Sequence, residues 1–397
     1  MKLISMLVDQ SIESFELPKI GSDLSPDAAT ALAIQIGYQG ISKVSPNPLV
    51  GCVIVDKNHR FLSAGYHANF GDLHAEANAL KNLTLRELLK DATVYVSLEP
   101  CAHEGKQPSC ARMLSQLPIK KVVMAMVDPN PLVAGKGQNI LEAAGISCDL
   151  AKTRQKEARE LMHAYLHATN TQKPFVALKA STDMEGNFAL QDSQKLWITN
   201  QRTRRFSHFL RAYYDAILIG KNTVINDNPY LDIRYFKTDA KNPKVIVLDA
   251  NAEVLQRISP RDLNILTRKK SREIIWVVNS QTHKIPAIKE VFDDYGVKAI
   301  EINYSEKSGF DLQDLLAKLF LRNIHSLLIE GGAMVYSSFL DANLVDRIYH
   351  FKAPYFLSGE NKRHWLEHCN SRPKLGEPNQ EINLEGDLLK IYDLIQN

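Results

Sequence analysis

Apolar positions along the chain switch repeatedly between the helical period and the strand period. "SPDAATALAIQIGYQG" opens with Ser25 at a cap position and Pro26 in the first turn, carries apolar residues at helical spacing, and closes at Gly40. "LVGCVIVD" and "RFLSAGYH" are β-rich runs separated by "KNH", which predicts a hairpin. A helical segment, "LHAEANALKNL", follows, and then "ATVYVSLEP" reads as a strand ending at Pro100. "PSCARMLSQL" starts a helix at Pro108, "KKVVMAMVDPNP" is a strand, "GQNILEAAG" is a short helix stopped by Gly145, and "ISCDLA" is a last strand. After the first helix the pattern is therefore ββαβαβαβ, an α/β sheet covered on both faces.

Residues 151–172 are polar and helical in pattern and predict a connecting helix. A second alternating region follows, with strand patterns "PFVALKAS", "DAILIG", "PKVIVLD", "REIIWVVN", "KAIEIN", "HSLLIEGG" and "RIYHFKAPYFL". Helices are expected at about 200–213, 310–322 and 332–340. No repeat or low-complexity tract interrupts the chain. A boundary near residue 170 divides it into two α/β domains, as a length of 397 residues suggests.

Composition narrows the function classes. Hydrophobic residues make up 45% and charged residues 23%, an ordinary globular balance. The net charge of +3 and the short basic clusters lack the footprint of a nucleic-acid binder. Five cysteines in a chain this long argue against a disulfide framework and for a reducing compartment. The first 24 residues do not read as a signal peptide, and no apolar window is long enough to span a bilayer. A cytoplasmic protein is expected.

The candidate chemistry lies in "GDLHAEANAL" and "LEPCAHEGKQPSC". His74 offers a nitrogen, and Cys101 and Cys110 offer thiolates with eight residues between them. All three fall at the ends of predicted elements, where open α/β sheets gather their sites. Glu76, two positions beyond His74, is a candidate to take a proton from a water in a fourth metal position and pass it on. His-x-Glu with Pro-Cys is the zinc-deaminase pattern, although that pattern spaces its cysteines by two. On spacing alone, a helix-end histidine and two packed cysteines explain the same residues. In the second half, "IEGG" at 329–332 joins a strand to a helix. It suits a phosphate approaching backbone amides, or simply a tight turn. There is no G-x-G-x-x-G and no Walker motif.

"SPNPLVGCVIV", "GYHANFGDLHAEANAL", "VYVSLEPCAHEGKQPSC" and "VVMAMVDPNPLVAGKG" resemble the bifunctional deaminase–reductase of riboflavin biosynthesis. That family has a longer loop between its cysteines, as here. The resemblance implies a cytidine deaminase-like three-layer domain over 25–150, a connecting helix over 151–172 and a dihydrofolate reductase-like α/β domain over 173–397. It implies zinc on His74, Cys101 and Cys110, proton transfer by Glu76, and substrate contacts at Asn47, His103, Lys106, Asp128 and Asn130. The substrate is a phosphorylated pyrimidine, a diaminopyrimidinone bearing a phosphoribosylamino group, and the oligomer is a homo-oligomer.

In the second domain the matching stretches are "VALKAS", "WITN", "LRAYYDAILIGKNTVINDNPYLDIR" and "LLIEGGAMVYSSFLDANLVDRIYHFKAPYFL". They imply NADPH-dependent reduction of the ribose to a ribityl chain. Lys179, Trp197, Thr199, Gly220, Thr223, Gly331 and Gly332 fall on cofactor positions, and Asn228, Leu231, Arg234 and Glu330 on substrate positions. Asp227 is the candidate for acid–base assistance. Some positions depart from the family pattern. Ala102, Gln107 and Ser109 replace serine, threonine and proline in the cysteine loop. Asp183 and Asn187 replace serine and lysine after the first reductase strand, one extra residue precedes Trp197, and Asp232 replaces threonine. These departures leave open an alternative, an active deaminase joined to an inactive or retargeted reductase domain.

Overall fold

The computed structural model describes residues 16–103, 108–130, 134–190, 198–235, 239–267, 272–370 and 375–394. The chain divides into two compact units, one up to Gln172 and one from Lys173 onward.

The first unit is built on a five-stranded sheet of β1 (Gly51–Val55), β2 (Phe61–Tyr66), β3 (Thr93–Val96), β4 (Lys121–Met124) and β5 (Ser147–Leu150). Its order is β2-β1-β3-β4-β5, with β1 antiparallel to both neighbours and β3, β4 and β5 parallel. Alternate side chains serve opposite faces. Val53, Val55 and Tyr95 pack with Ala29, Leu32, Ala33 and Ile36 of helix α1 (Pro26–Gly37). Cys52, Ile54, Val94 and Val96 pack on the other face with α2 (Ala75–Lys81), α3 (Cys110–Ser115) and α4 (Lys136–Ala143). Ser25 caps α1 by accepting a hydrogen bond from the Ala28 amide at 3.3 Å. Gly65 is needed on β2, because a Cβ there would stand 2.2 Å from the Ala79 nitrogen. That close approach seats α2 directly on the sheet, and α2 carries Glu76.

The segment expected to be one connecting helix is two, α5 (Gln155–Leu161) and α6 (His163–Thr171). The buried Met162 leaves helical geometry between them, with φ −117° and ψ 15°. Both helices belong to the first unit. Arg154, just before α5, bonds Asp27 of α1 through Nε at 2.9 Å.

The second unit has a nine-stranded sheet. Its strands are β6 (Phe175–Thr182), β8 (Ala216–Gly220), β9 (Lys244–Leu248), β10 (Ile274–Val278), β11 (Val297–Glu301), β14 (Ser326–Ile329), β15 (Arg347–Lys352), β17 (Gln380–Leu384) and β18 (Asp387–Asp393). Two small pairs stand apart from it: β7 (Asn187–Leu190) with β16 (Lys362–His364), and β12 (Tyr304–Ser305) with β13 (Gly309–Phe310). The order is β11-β10-β9-β8-β14-β6-β15-β18-β17, parallel as far as β15 and antiparallel through β18 and β17. Helices α7 (Gln201–Tyr213), α8 (Lys221–Asp227), α9 (Pro286–Tyr295), α10 (Leu312–Phe320) and α11 (Ala333–Asp341) accompany the parallel strands. Leu218, Ile246 and Val277 join one core, and Ile217, Val245 and Trp276 join another. Burial on both faces is why these strands read as continuous apolar runs.

The departure at Asp183 and Asn187 forms a turn. The Asp183 carboxylate, fully buried, accepts from the amides of Glu185 (2.9 Å), Asn187 (2.8 Å) and Leu357 (2.9 Å) and from Asn187 Nδ2 (3.0 Å). Burial alone would raise its pKa, but hydrogen bonds led by Asn187 outweigh it and the net shift is downward. Asp183→Ala strands these donors and is expected to cost about 3 kcal/mol in the unfolding of the second unit. Because the folded carboxylate has the lower pKa, this contribution is present above the unfolded aspartate range and is lost as pH falls below it. Thermal melts of wild type and variant at neutral and acid pH check both statements, and a gap that fails to shrink in acid contradicts the second.

Candidate active sites

His74 is the cap residue of α2 in extended geometry, which puts its ring at the helix start and Glu76 in the first turn. Cys110 is the first residue of α3, capped by Ser109. The Ser109 hydroxyl accepts from the Arg112 amide at 3.3 Å and donates to the Cys101 carbonyl at 2.8 Å. One side chain thus fixes both cysteines, which gives the departure at Ser109 a structural role. His74 Nδ1 lies 3.5 Å from Cys101 Sγ and 3.5 Å from Cys110 Sγ. Tetrahedral zinc with ordinary Zn–N and Zn–S bonds sets a nitrogen–sulfur edge of about 3.6 Å. The donor set fits zinc in kind and in spacing, with all three ligand atoms within 4.8 Å of one another.

The electrostatics match a metal-ready cluster. Cys101 is held below the usual thiol range by a hydrogen bond from Cys110 and by His74. His74 is pushed up, chiefly by its bond with Cys101. Glu76 is 4% exposed, and burial, with Cys101 adding to it, pushes its pKa up to about 7.

A cavity of about 400 Å³ opens beside this cluster and is lined by Asn47, His67, Glu76, His103, Asp128, Asn130 and Tyr165, among others. Asn47 Nδ2 is 3.0 Å from His67 Nε2, and His67 Nδ1 is 3.1 Å from the Leu73 carbonyl. The carbonyl obliges Nδ1 to carry the proton, so Nε2 accepts from Asn47 and the amide orientation of Asn47 is fixed. Asp128 accepts from the Asn130 amide at 2.9 Å and from the Tyr165 hydroxyl at 3.3 Å on each oxygen. Burial raises its pKa. Glu99 takes the amides of Asp128 (3.4 Å), Gly135 (3.0 Å), Gly137 (2.9 Å) and Gln138 (3.2 Å), and so holds the loop that carries Asp128 and Asn130. The sequence reading missed His67, Glu99 and Tyr165. Lys106 lies outside the described residues.

In the second unit, a cavity of about 1800 Å³ lies at the carboxyl ends of β6, β8, β9 and β14. Lys179, Thr199, Gly220, Thr223, Asp227, Arg234, Glu330, Gly331 and Gly332 all line it. Trp197 lies outside the described residues. Asn228 and Leu231 do not line the cavity. Asn228, at φ +40°, donates to the Asp262 carbonyl at 2.7 Å and accepts from the Asn264 amide at 2.9 Å. Leu231 is buried in the core, with its carbonyl bonded by Arg272 at 2.5 Å. Both tie the loop that carries Arg234, and neither offers its side chain to a ligand there. Asp227, at the end of α8, is exposed on the cavity rim, a setting that suits a hydrogen bond better than sheltered proton transfer.

Arg211 was not singled out from the sequence. Its Nε and Nη2 each bond Glu330 at 2.8 Å, and Nη1 bonds the Asp232 carbonyl at 3.1 Å. Burial opposes the Glu330 charge, yet Arg211 overrides it and brings the pKa down to about 2. Lys179 is pulled down by burial and partly held up by Glu330. Arg204, Ser207, His208 and Arg211 line the cavity as one stripe of α7. The Arg234 guanidinium pairs with Asp232 and stands over Tyr230 and Tyr235 at 5.2 and 5.7 Å. The added carboxylate at 232 therefore neutralises the proposed phosphate arginine. The backbone also fits a dinucleotide. A Cβ on Gly331 would meet Val335 at 3.0 Å, so that glycine serves packing, whereas a Cβ on Gly332 would meet nothing nearer than Thr223 Oγ1 at 3.9 Å, which leaves the start of α11 open to a ligand.

Sequence comparisons cover both units. The family described as RibD C-terminal domain matches residues 174–377. The cytidine and deoxycytidylate deaminase zinc-binding region matches residues 28–126. The riboflavin biosynthesis protein RibD of Actinobacillus pleuropneumoniae is 38% identical over 332 residues, covering 83% of this chain and 84% of that protein. The chain belongs to the RibD family. Among solved structures, Acinetobacter baumannii RibD matches with a TM-score of 0.75 at 31% identity, covering 93% of this chain and 98% of that one. A Thermotoga maritima diaminohydroxyphosphoribosylaminopyrimidine deaminase/5-amino-6-(5-phosphoribosylamino)uracil reductase matches with a TM-score of 0.77 at 27% identity, covering 92% and 97%. As a RibD-family chain, it joins a zinc-binding deaminase domain to a reductase domain of the kind that uses NADPH. No helix among the described residues is long and apolar enough to cross a membrane.

Proposed function

We propose that the first unit removes an amino group hydrolytically from a phosphoribosylamino-diaminopyrimidinone and that the second reduces the ribose of the product to a ribityl chain. The observation that carries the reading is the one nitrogen and two sulfurs at tetrahedral edge lengths beside a buried carboxylate. His74, Cys101 and Cys110 would hold zinc, which when bound supplies the charge that makes water nucleophilic near neutrality. Glu76 takes the proton from the attacking water and returns it to the departing amine. Asn47, with its amide fixed by His67, and Asp128 and Asn130, on the loop held by Glu99, orient the pyrimidine and its ribose. His103 lines the same cavity, and Lys106 is assigned a substrate contact on the family likeness alone.

In the second unit NADPH, when bound, supplies hydride. Gly220, Thr223, Gly331 and Gly332, with Lys179, Trp197 and Thr199, would hold it. Arg234 and the Arg211–Glu330 pair face the phosphorylated substrate. A cytoplasmic homo-oligomer acting on a small phosphorylated pyrimidine, and not on nucleic acid, is part of this reading on the strength of the family likeness.

A second reading keeps the deaminase and retargets the reductase, because Asp232 occupies the guanidinium that a phosphate would need. One assay separates the two. Protein given the diaminopyrimidinone is expected to consume NADPH and yield the ribityl product by mass, whereas accumulation of the deaminated compound alone favours the second reading. Stripping zinc with a chelator is expected to abolish deamination, reversibly on adding zinc, while reduction of supplied deaminated intermediate continues unchanged. Loss of both activities together would contradict the assignment of zinc to the first reaction alone.

A further inference from the structure

The large cavity has an internal order given by the sheet. Along the strand order β6-β14-β8-β9 it is lined in turn by Lys179, by Glu330 to Gly332, by Gly220, and by Leu248 and Ala250. The partly buried charges Lys179, Glu330 and Arg211 mark the β6–β14 end. In the middle, Gly332 leaves the backbone open, since a Cβ there would meet nothing nearer than Thr223 Oγ1 at 3.9 Å, while Gly220 is held to glycine by Val335, whose Cγ2 would stand 2.7 Å from a Cβ. Three strand spacings, about 14 Å, separate the two ends. An extended dinucleotide with its reactive ring at the charged end and its pyrophosphate on the glycines therefore brings its adenosine to the β9 end.

That end holds an ion pair. Lys221, the residue after Gly220, and Glu253, just beyond β9, both line the cavity and bond each other. Neither is deeply buried, at 31% and 27% side-chain exposure. Glu253 has a second cation nearby, Arg257 Nη2 at 3.9 Å. A cation beside the adenosine ribose favours a 2′-phosphate, and a carboxylate there favours the free 2′-hydroxyl. This chain places one of each in contact.

We propose that Lys221 binds the adenosine 2′-phosphate of NADPH and that Glu253 competes for it, so that this pair sets the preference between NADPH and NADH. The proposal rests on the reading of the cavity as a dinucleotide site. When the phosphate arrives, Lys221 exchanges Glu253 for it and Glu253 keeps Arg257. The exchange makes the discrimination smaller than a free lysine would give.

The test is equilibrium titration of the full-length protein with NADPH and with NADH, followed by quenching of tryptophan fluorescence or by calorimetry. Lys221→Gln is expected to weaken NADPH roughly tenfold and leave NADH unchanged, the effect of one lost charge-assisted bond. Glu253→Gln is expected to tighten NADPH several-fold and to leave NADH unchanged or weaker. Equal weakening of both dinucleotides by Lys221→Gln would overturn the assignment. So would loss of discrimination on Lys307→Gln, another lysine lining this cavity, with none on Lys221→Gln. If neither dinucleotide binds the wild-type chain, the cavity reading itself falls and the proposal with it.

Discussion

Replacing Glu76 by glutamine is expected to lower the deaminase turnover about a thousandfold, with zinc still bound at one ion per chain. Positioned acid–base groups contribute about 10²–10⁴-fold, and this carboxylate is asked both to remove and to deliver a proton. Glutamine keeps the volume and can still hydrogen-bond, but it cannot carry the proton. Glu76 is not one of the three donors that lie within 4.8 Å of one another, so the metal should stay. Stability should hold or rise slightly, because burial disfavours the ionised carboxylate that the amide replaces. Turnover by product mass, zinc by elemental analysis and a thermal melt decide together. Zinc lost in proportion to activity would make Glu76 a structural support, and turnover within tenfold of wild type would remove it from the proton path.

The first unit was legible because its elements are short and its period changes cleanly. Each strand from Gly51 to Leu150 is bounded by a turn residue or a helix cap, and the ββαβαβαβ reading matches the observed order. His74, Cys101 and Cys110 were legible as donors because chemistry restricts which residue types can ligate zinc. Their convergence was anticipated from their places at element ends, but the distances were not, since these depend on how α2, α3 and the end of β3 meet. Tyr165 had no local signal: it reaches Asp128 only because α6 folds back into the first unit. Arg211 had a signal that went unused. Polar residues at 204, 207, 208 and 211 form a stripe at helical spacing on a helix whose other side is buried. The antiparallel pair β17–β18 was also readable in principle. Glu385 and Gly386 both take positive φ, at +57° and +105°, between two alternating runs, the pattern of a two-residue hairpin turn.

Breaking the Arg211–Glu330 pair on one side should have the largest effect in the second unit. Glu330→Gln leaves the Arg211 guanidinium and the Lys179 ammonium in the cavity without their shared carboxylate. Removing one partner of a buried pair costs about 3–5 kcal/mol, and these side chains are only 13% and 8% exposed. Reduction should fall steeply while deamination in the first unit stays intact. Lys179 adds a pH signature. Burial already lowers its pKa and Glu330 opposes that shift, so losing the carboxylate lowers it further. Residual reductase activity that needs the ammonium should then disappear at a lower pH in the variant than in wild type. The double variant Arg211→Met, Glu330→Met separates stability from chemistry, because an apolar pair of similar volume restores much of the lost stability without restoring the charges. A double variant that melts near wild type yet consumes no NADPH places the pair in substrate handling. One that regains reduction shows that the pair only holds the cavity together.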